Sequence, residues 1–247
     1  MSENRFSFPA CMIAGKGRIE AYDVLMLRTY AFPEGVRRVS DTQMMLELHD
    51  LCPTQCDEWA NYFVESLSAY LVNGGGMPGV IDERKTSWLI RAIADNGAVR
   101  SWLEIELLLH VMEIADSTTE TLSAFALDQV RIGLSTTASG RLGGISNSAY
   151  GKTRPAQNGV TAFDLSYIWR VLRPAVDKGR LMLSMMELAI LSEIDALAQR
   201  SDHHPGWNEI MLQFAAIERL TEASKQLYPA SHWLPAEADL QPEGHAA

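Results

Sequence analysis

The sequence predicts an all-α protein: three repeated helix-loop-helix-loop-helix units packed as two helical subdomains. Two observations carry that expectation. Apolar residues recur at helical spacing through most of the chain, most clearly over Trp88–Ala115. There, two amphipathic segments flank Asp95-Asn96-Gly97, and the segments on either side repeat the arrangement in degraded form.

In the first half of that stretch Trp88, Leu89, Ala92 and Ile93 share one face. Asp95-Asn96-Gly97 then tolerates left-handed backbone and stops the helix. Ser101 with Glu104 three positions on reads as a capping box, so a second helix starts near Trp102. Its apolar residues cover more than one stripe and leave Glu104, Glu106, His110 and Glu113 for water, which implies burial on most sides.

From the start of the chain, residues 1–18 contain no apolar run of signal-peptide length and are expected to be a flexible, cytoplasmic N-terminus. The helical domain is placed at 19–134. In its first unit, Glu20 to Asp23 favour a helix start, Phe32-Pro33-Glu34-Gly35 ends that helix, and Ser40 caps a second one over 41–51. A Trp-led helix follows from Asp57. Residues 135–159 carry three basic residues and no acidic one among Gly, Ser, Thr and Asn. They read as a flexible linker and domain boundary, or as a basic segment that orders on an acidic partner. The third unit, 160–228, aligns Asp164 with Asp23, Gly179 with Gly35, Ser184 with Ser40 and Trp207 with Trp59. The tail, 229–247, has no period and is expected to be disordered.

The pattern around Asp95, with Ala94, Gly97, Val99 and Glu104, resembles the helix-loop-helix core of the TerB-like tellurite-resistance superfamily. The first and third units resemble tandem bacterial all-helical repeats. The resemblance implies an all-α fold, divalent-metal binding (Ca or Mg) by loop and adjacent helix carboxylates, and a role in stress-response or membrane-associated complexes. On the residues themselves Asp95, Asn96 and Glu104 can supply the oxygens, or else Asp95 and Asn96 only stop one helix and Glu104 only caps the next. Two departures stand against the metal. Asn96 replaces a usual second acid, and the loops of the outer units lack paired carboxylates.

The residues themselves point elsewhere. A calcium loop starting at Asp95 puts Gly97 and Val99 at liganding positions and Arg100 at the required glycine. Glu106, His110 and Glu113 line one helix side and can present ligands, though a solvated face explains them too. His49, Cys52 and Cys56 have a spacing that can gather zinc ligands, with Cys11 or Asp57 as a fourth, but without any CxxC. His203-His204 are polar loop residues, and Trp59, Tyr62, Phe63 and Tyr70 are read as core packing.

Composition bounds the function. A net charge of −10 argues against nucleic acid, no stretch of roughly 18 apolar residues can span a membrane, and three cysteines suit a reducing compartment. No nucleophile elbow, phosphate loop or dinucleotide fingerprint occurs. The expectation is a non-catalytic helical-repeat interaction protein with a protein partner and no cofactor, the alternative being a TerB-like metal-binding regulatory module.

Overall fold

The computed structural model describes residues 7–138, 148–157, 159–177, 180–198 and 203–227. Among them the fold is all-α, in eleven α-helices: α1 (Phe8–Lys16), α2 (Ala21–Met26), α3 (Val39–Leu51), α4 (Asp57–Asn73), α5 (Glu83–Ile93), α6 (Trp102–Ile114), α7 (Glu120–Ala138), α8 (Ala149–Thr153), α9 (Ala162–Leu172), α10 (Met185–Leu197) and α11 (Pro205–Leu227). The last turn of the first long helix widens into a π-turn, Leu27–Ala31. Residues up to His203 pack as one unit, and the residues from His204 onward form another.

Helix lengths recur along the chain. The 6 residues of α2 and 5 of its π-turn match the 11 of α5 and of α9. Helices α3, α6 and α10 have 13 residues each. The third member grows from 17 in α4 to 19 in α7 and 23 in α11. Trp59 and Trp207 both occupy the third position of their helix and are fully buried.

Within the larger unit α6 and α7 are central. Helix α6 packs on α4, α8 and α9, and α7 packs on α5, α8, α9 and α10. Burial of Ile105, Leu108, Leu109 and Val111 fits the apolar surround read from the sequence. Gly133 explains itself here: a Cβ would come within 2.7 Å of the Tyr150 ring, so only glycine lets α8 approach α7.

Three short ladders interrupt the helices. Strands β1 (Arg18–Ile19) and β2 (Thr54–Gln55) pair in parallel, while β3 (Ala94–Asp95) with β4 (Ala98–Val99), and β5 (Val176–Asp177) with β6 (Arg180–Leu181), pair antiparallel. The loop read as a helix stop is therefore a hairpin. Asn96 (φ 50°) and Gly97 (φ 83°) form its two-residue turn, a geometry that Asn-Gly favours because both central residues need positive φ.

Three expectations are corrected. Residues 8–16 of the expected flexible N-terminus form α1, whose Ala10 and Ile13 are buried and whose Lys16 Nζ donates to both Asp23 carboxylate oxygens at 2.7 and 2.6 Å. The expected linker 135–159 holds the end of α7 and all of α8, and no domain boundary falls there. Tyr150 enters a ring cluster with Trp102, Phe163 and Tyr167 at centroid distances of 6.5, 5.5 and 4.8 Å. Arg154, nearly all of it buried, pairs with buried Asp164 at 2.8 Å and donates to the carbonyls of Gln157 and Gly159. Finally, α3 starts at Val39 with Arg38 as its N-cap, so Ser40 lies inside the helix and its hydroxyl meets Asp41. The expected tail, 229–247, and residues 139–147 of the expected linker lie outside the described residues.

Because Trp59 and Trp207 are fully buried, truncating either to Ala should lower unfolding free energy by about 3–5 kcal/mol in urea titrations. A loss below about 1 kcal/mol at both would contradict their role as anchors.

Candidate functional site

Of the metal ligands expected from the sequence, Glu104 is engaged by the protein itself, whereas Asp95 and Asn96 lie exposed. Asp95 lies exposed on β3 opposite Ala98, and Asn96 sits at the hairpin tip. The Gly97 carbonyl accepts from Gln129 Nε2 at 3.0 Å, while Gln129 Oε1 accepts from Val99 N–H at 2.9 Å, so buried Gln129 of α7 clamps the turn. Glu104 is fully buried rather than exposed to water. One of its oxygens accepts from Ser101 N–H at 2.9 Å, and the other from Arg100 at 2.7 Å. Its carboxylate thus closes the capping box and an ion pair together.

Around Glu104 the chain builds a polar network. The atoms of His49, Asp50 and Glu104 that could ligate a cation lie within 4.8 Å of one another, and Asp95 is not in this group. Arg100 bridges it, donating to Asp50 at 3.1 Å as well as to Glu104. Those two carboxylates hold the guanidinium protonated against the burial that opposes its charge. The position a divalent ion would take between the acids is already served by a cation.

The state of His49 follows from its neighbours. Gln55 Nε2 donates to the carbonyls of His49 and Cys52 at 2.9 and 2.7 Å, which uses both amide hydrogens. Gln55 Oε1 therefore accepts from His49 Nδ1 at 3.2 Å, and His49 Nε2 accepts from the Ser101 hydroxyl at 2.8 Å. Burial lowers the His49 pKa below its usual 6.5, which keeps this acceptor neutral. The contact resembles a nucleophile and its base, but Ser101 Oγ also accepts Glu104 N–H at 3.1 Å as the N-cap of α6. It fastens α3 to the start of α6.

The other expected ligand sets are also engaged. Arg170 of α9 pairs with Glu106 at 2.9 Å and Glu113 at 2.6 Å, and His110 lies 3.8 Å from Glu113. The stripe read as a solvated or metal-binding face joins α6 to α9. Buried Cys52 directs its thiol to the Ile13 carbonyl at 3.7 Å, Cys56 caps α4, and neither joins His49 in a group of three ligands among the described residues. His203 is not a plain surface residue: its side chain is buried and its Nδ1 accepts from Val160 N–H at 3.2 Å. His204 accepts from Gly206 N–H at 3.1 Å, at the start of α11.

What the sequence reading missed is a groove of about 910 Å³ beside the π-turn. One wall is the loop from Phe32 to Arg37, and the other is the face of α4 that carries Tyr62, Ser66, Ala69, Tyr70 and Asn73. The loop turns through Gly35 (φ 79°), whose N–H donates to the Phe32 carbonyl at 3.0 Å, and it contains no strand pairing. Trp59 and Phe63 are core residues as expected, 5.8 Å apart by ring centroid. Tyr62 and Tyr70 differ, since both line the groove. The guanidinium of Arg28, on the π-turn, lies 5.4 Å from the Tyr62 ring centroid. Glu34 and Arg37 neutralise each other across 2.8 Å on the loop wall. The available signal was the spacing of Tyr62, Ser66 and Tyr70, which places them on one side of α4.

No protein-family profile, no curated protein and no solved structure matches this chain. No helix among the described residues is long and apolar enough to cross a membrane.

Two outcomes follow for the polar network. The unfolded chain takes up a proton at its histidine near pH 6.5, a proton that buried His49 resists. Stability should therefore be full above that pH and fall as acid is added below it, and His49→Gln should flatten this part of a urea-monitored stability curve. A wild-type curve unchanged by the substitution would refute the assignment. Because Arg100 already serves Asp50 and Glu104, neither chelator nor added Mg²⁺ or Ca²⁺ should move the melting temperature. A cation-dependent rise that disappears in Glu104→Gln would reverse that expectation.

Proposed function

We propose that this chain is a non-catalytic interaction protein whose helical units bury their own core and whose first unit receives a segment of a protein partner. The observation that carries this reading is the groove beside the π-turn, with an aromatic face and a volume of about 910 Å³, in the range of small recognition sites. The π-turn itself supports it, because such turns recur at functional positions where a helix gives up regular bonding. The chemistry elsewhere supports it too. His49, Arg100 and Glu104 fasten α3 to α6, while Glu106, Glu113 and Arg170 fasten α6 to α9.

A metal-binding regulatory module, as the TerB-like resemblance implies, is the second reading. The proximity of His49, Asp50 and Glu104 favours it, and the Arg100 bridge weighs against it.

The groove is open to a direct test. Ala69 is exposed on α4, so Ala69→Arg fills the groove with a good helix former and leaves the core alone. In selections from a peptide-display library the wild-type chain should enrich a defined sequence pattern. Ala69→Arg, with unchanged circular dichroism and melting, should enrich none. Equal enrichment by both proteins would remove the groove from consideration.

A further inference from the structure

We infer that the exposed face of α10 docks an amphipathic helix of a protein partner, one that lays an apolar stripe along Met186, Ala189 and Leu197 and sets a lysine or arginine over Glu193. The groove plays no part in it. Helices α6 and α10 begin alike. Each has a serine N-cap whose hydroxyl accepts from the N–H of a buried glutamate three positions on, and each runs for 13 residues. Both also follow a short antiparallel hairpin. Positions counted from the two caps can therefore be compared directly.

On α6 the first, fifth and twelfth positions face neighbouring helices. Trp102 lies 5.6 Å by ring centroid from Phe163 of α9 and 6.5 Å from Tyr150 of α8, while Glu106 and Glu113 both pair with Arg170 of α9. On α10 the same positions hold Met185, Ala189 and Ala196, all exposed, Met185 to 70%. Met186 and Leu197 continue that face at 45% and 38% exposed, and only Ser192 and Glu193 interrupt it. A helix face turned to water is ordinarily polar, so an apolar one marks a contact surface. The methionines at its head can adapt to the side chains of an incoming helix.

The packing of α9 on α6 indicates the occupant. By the helical rise the face of α10 from Met185 to Leu197 runs about 18 Å, close to the length of an 11-residue helix such as α9. Arg170 reaches acids at the fifth and twelfth positions of α6, on either side of the ninth. On α10 the acid stands at the ninth position, Glu193, between the two alanines, so a basic residue seated as Arg170 is would lie over it. The Glu193 side chain is 61% exposed and 3.3 Å from Arg131, whose nearer partner is Asp128, which leaves its carboxylate room for a second cation. The chain's net charge of −10 also draws a basic helix and disfavours an anionic bilayer. A second copy is the poorer occupant, because two-fold pairing of α10 sets Glu193 near its own copy.

Short helices are marginal alone in water, so the test offers the full chain a display library in which a small helical-bundle scaffold presents one helix with a randomised face. Binders enriched by the wild type should share an apolar stripe at helical spacing and a lysine or arginine at one fixed position. Ala189→Arg, with unchanged melting, should weaken a purified representative by about tenfold or more. Glu193→Lys should weaken it too, and should prefer the same binder with glutamate at the fixed position, a reversal that damage to the fold would not produce. Ala69→Arg should bind as the wild type does, which separates this face from the groove. The inference is overturned by an absence of enriched binders, by binding that survives Ala189→Arg, or by a basic preference that Glu193→Lys does not reverse. A wild-type dimer in sedimentation equilibrium that Ala189→Arg dissociates would overturn it as well and give the face to a second copy.

Discussion

Buried carboxylates at the third position of helices are the constraint on which the rest of the structure depends. Asp23, Glu104, Asp164 and Glu187 each sit there, each closes a capping box, and each is at least nine-tenths buried. Capping alone explains the residue type, since the carboxylate accepts the N-cap N–H and favours the positive end of the helix dipole. It does not explain the burial. A buried charge must be compensated, and three of the four take a cation from the chain just before their own helix: Lys16 for Asp23, Arg100 for Glu104 and Arg154 for Asp164.

Those recruitments order segments that composition alone marks as loose. Lys16 lies at the end of α1, so its pair with Asp23 ties that helix to the start of α2. Arg154 follows α8, and its pair with Asp164 ties the end of α8 to the start of α9. Asp164 Oδ1 also accepts from Tyr150 at 2.7 Å, so burial and this neighbouring carboxylate both push the phenol pKa up. Opening such a buried pair would strand a charge, at a cost of several kcal/mol. A linker reading assumes polar residues stay in water; here one arginine finds a buried acid ten residues onward.

The sequence made periodic and capped elements legible, because their determinants are local. The Ser101 and Glu104 box, the helix from Trp102 and the burial of Trp59 and Trp207 all follow from residues a few positions apart. The Asn-Gly hairpin was equally local and is written in its own turn signal, but a helix stop and a hairpin turn use the same residues. What decides between them is Gln129, 30 residues beyond Val99, which bonds both sides of the turn. The stripe Glu106, His110 and Glu113 was likewise correct as a helix face. Its partner, Arg170, lies 57 residues beyond Glu113, and no periodicity reports such a distance.

The groove belongs to this second kind of feature. Between α5 and α6, β3 and β4 pair, and Gln129 seals their turn against α7. Between α2 and α3 the loop from Phe32 to Arg37 has no strand pairing, and the helix before it ends in a π-turn. A π-turn bonds each N–H five residues back, as Phe32 N–H does to Leu27 at 2.8 Å, and this shifts the residues that follow around the helix axis. The loop then forms one wall and α4 the other, with space between them. Arg28, on the π-turn itself, lies over the Tyr62 ring at 5.4 Å. Where β3 and β4 close their connection into a hairpin the chain is sealed against α7, and where the connection lacks strand pairing it stands off α4 and leaves the groove.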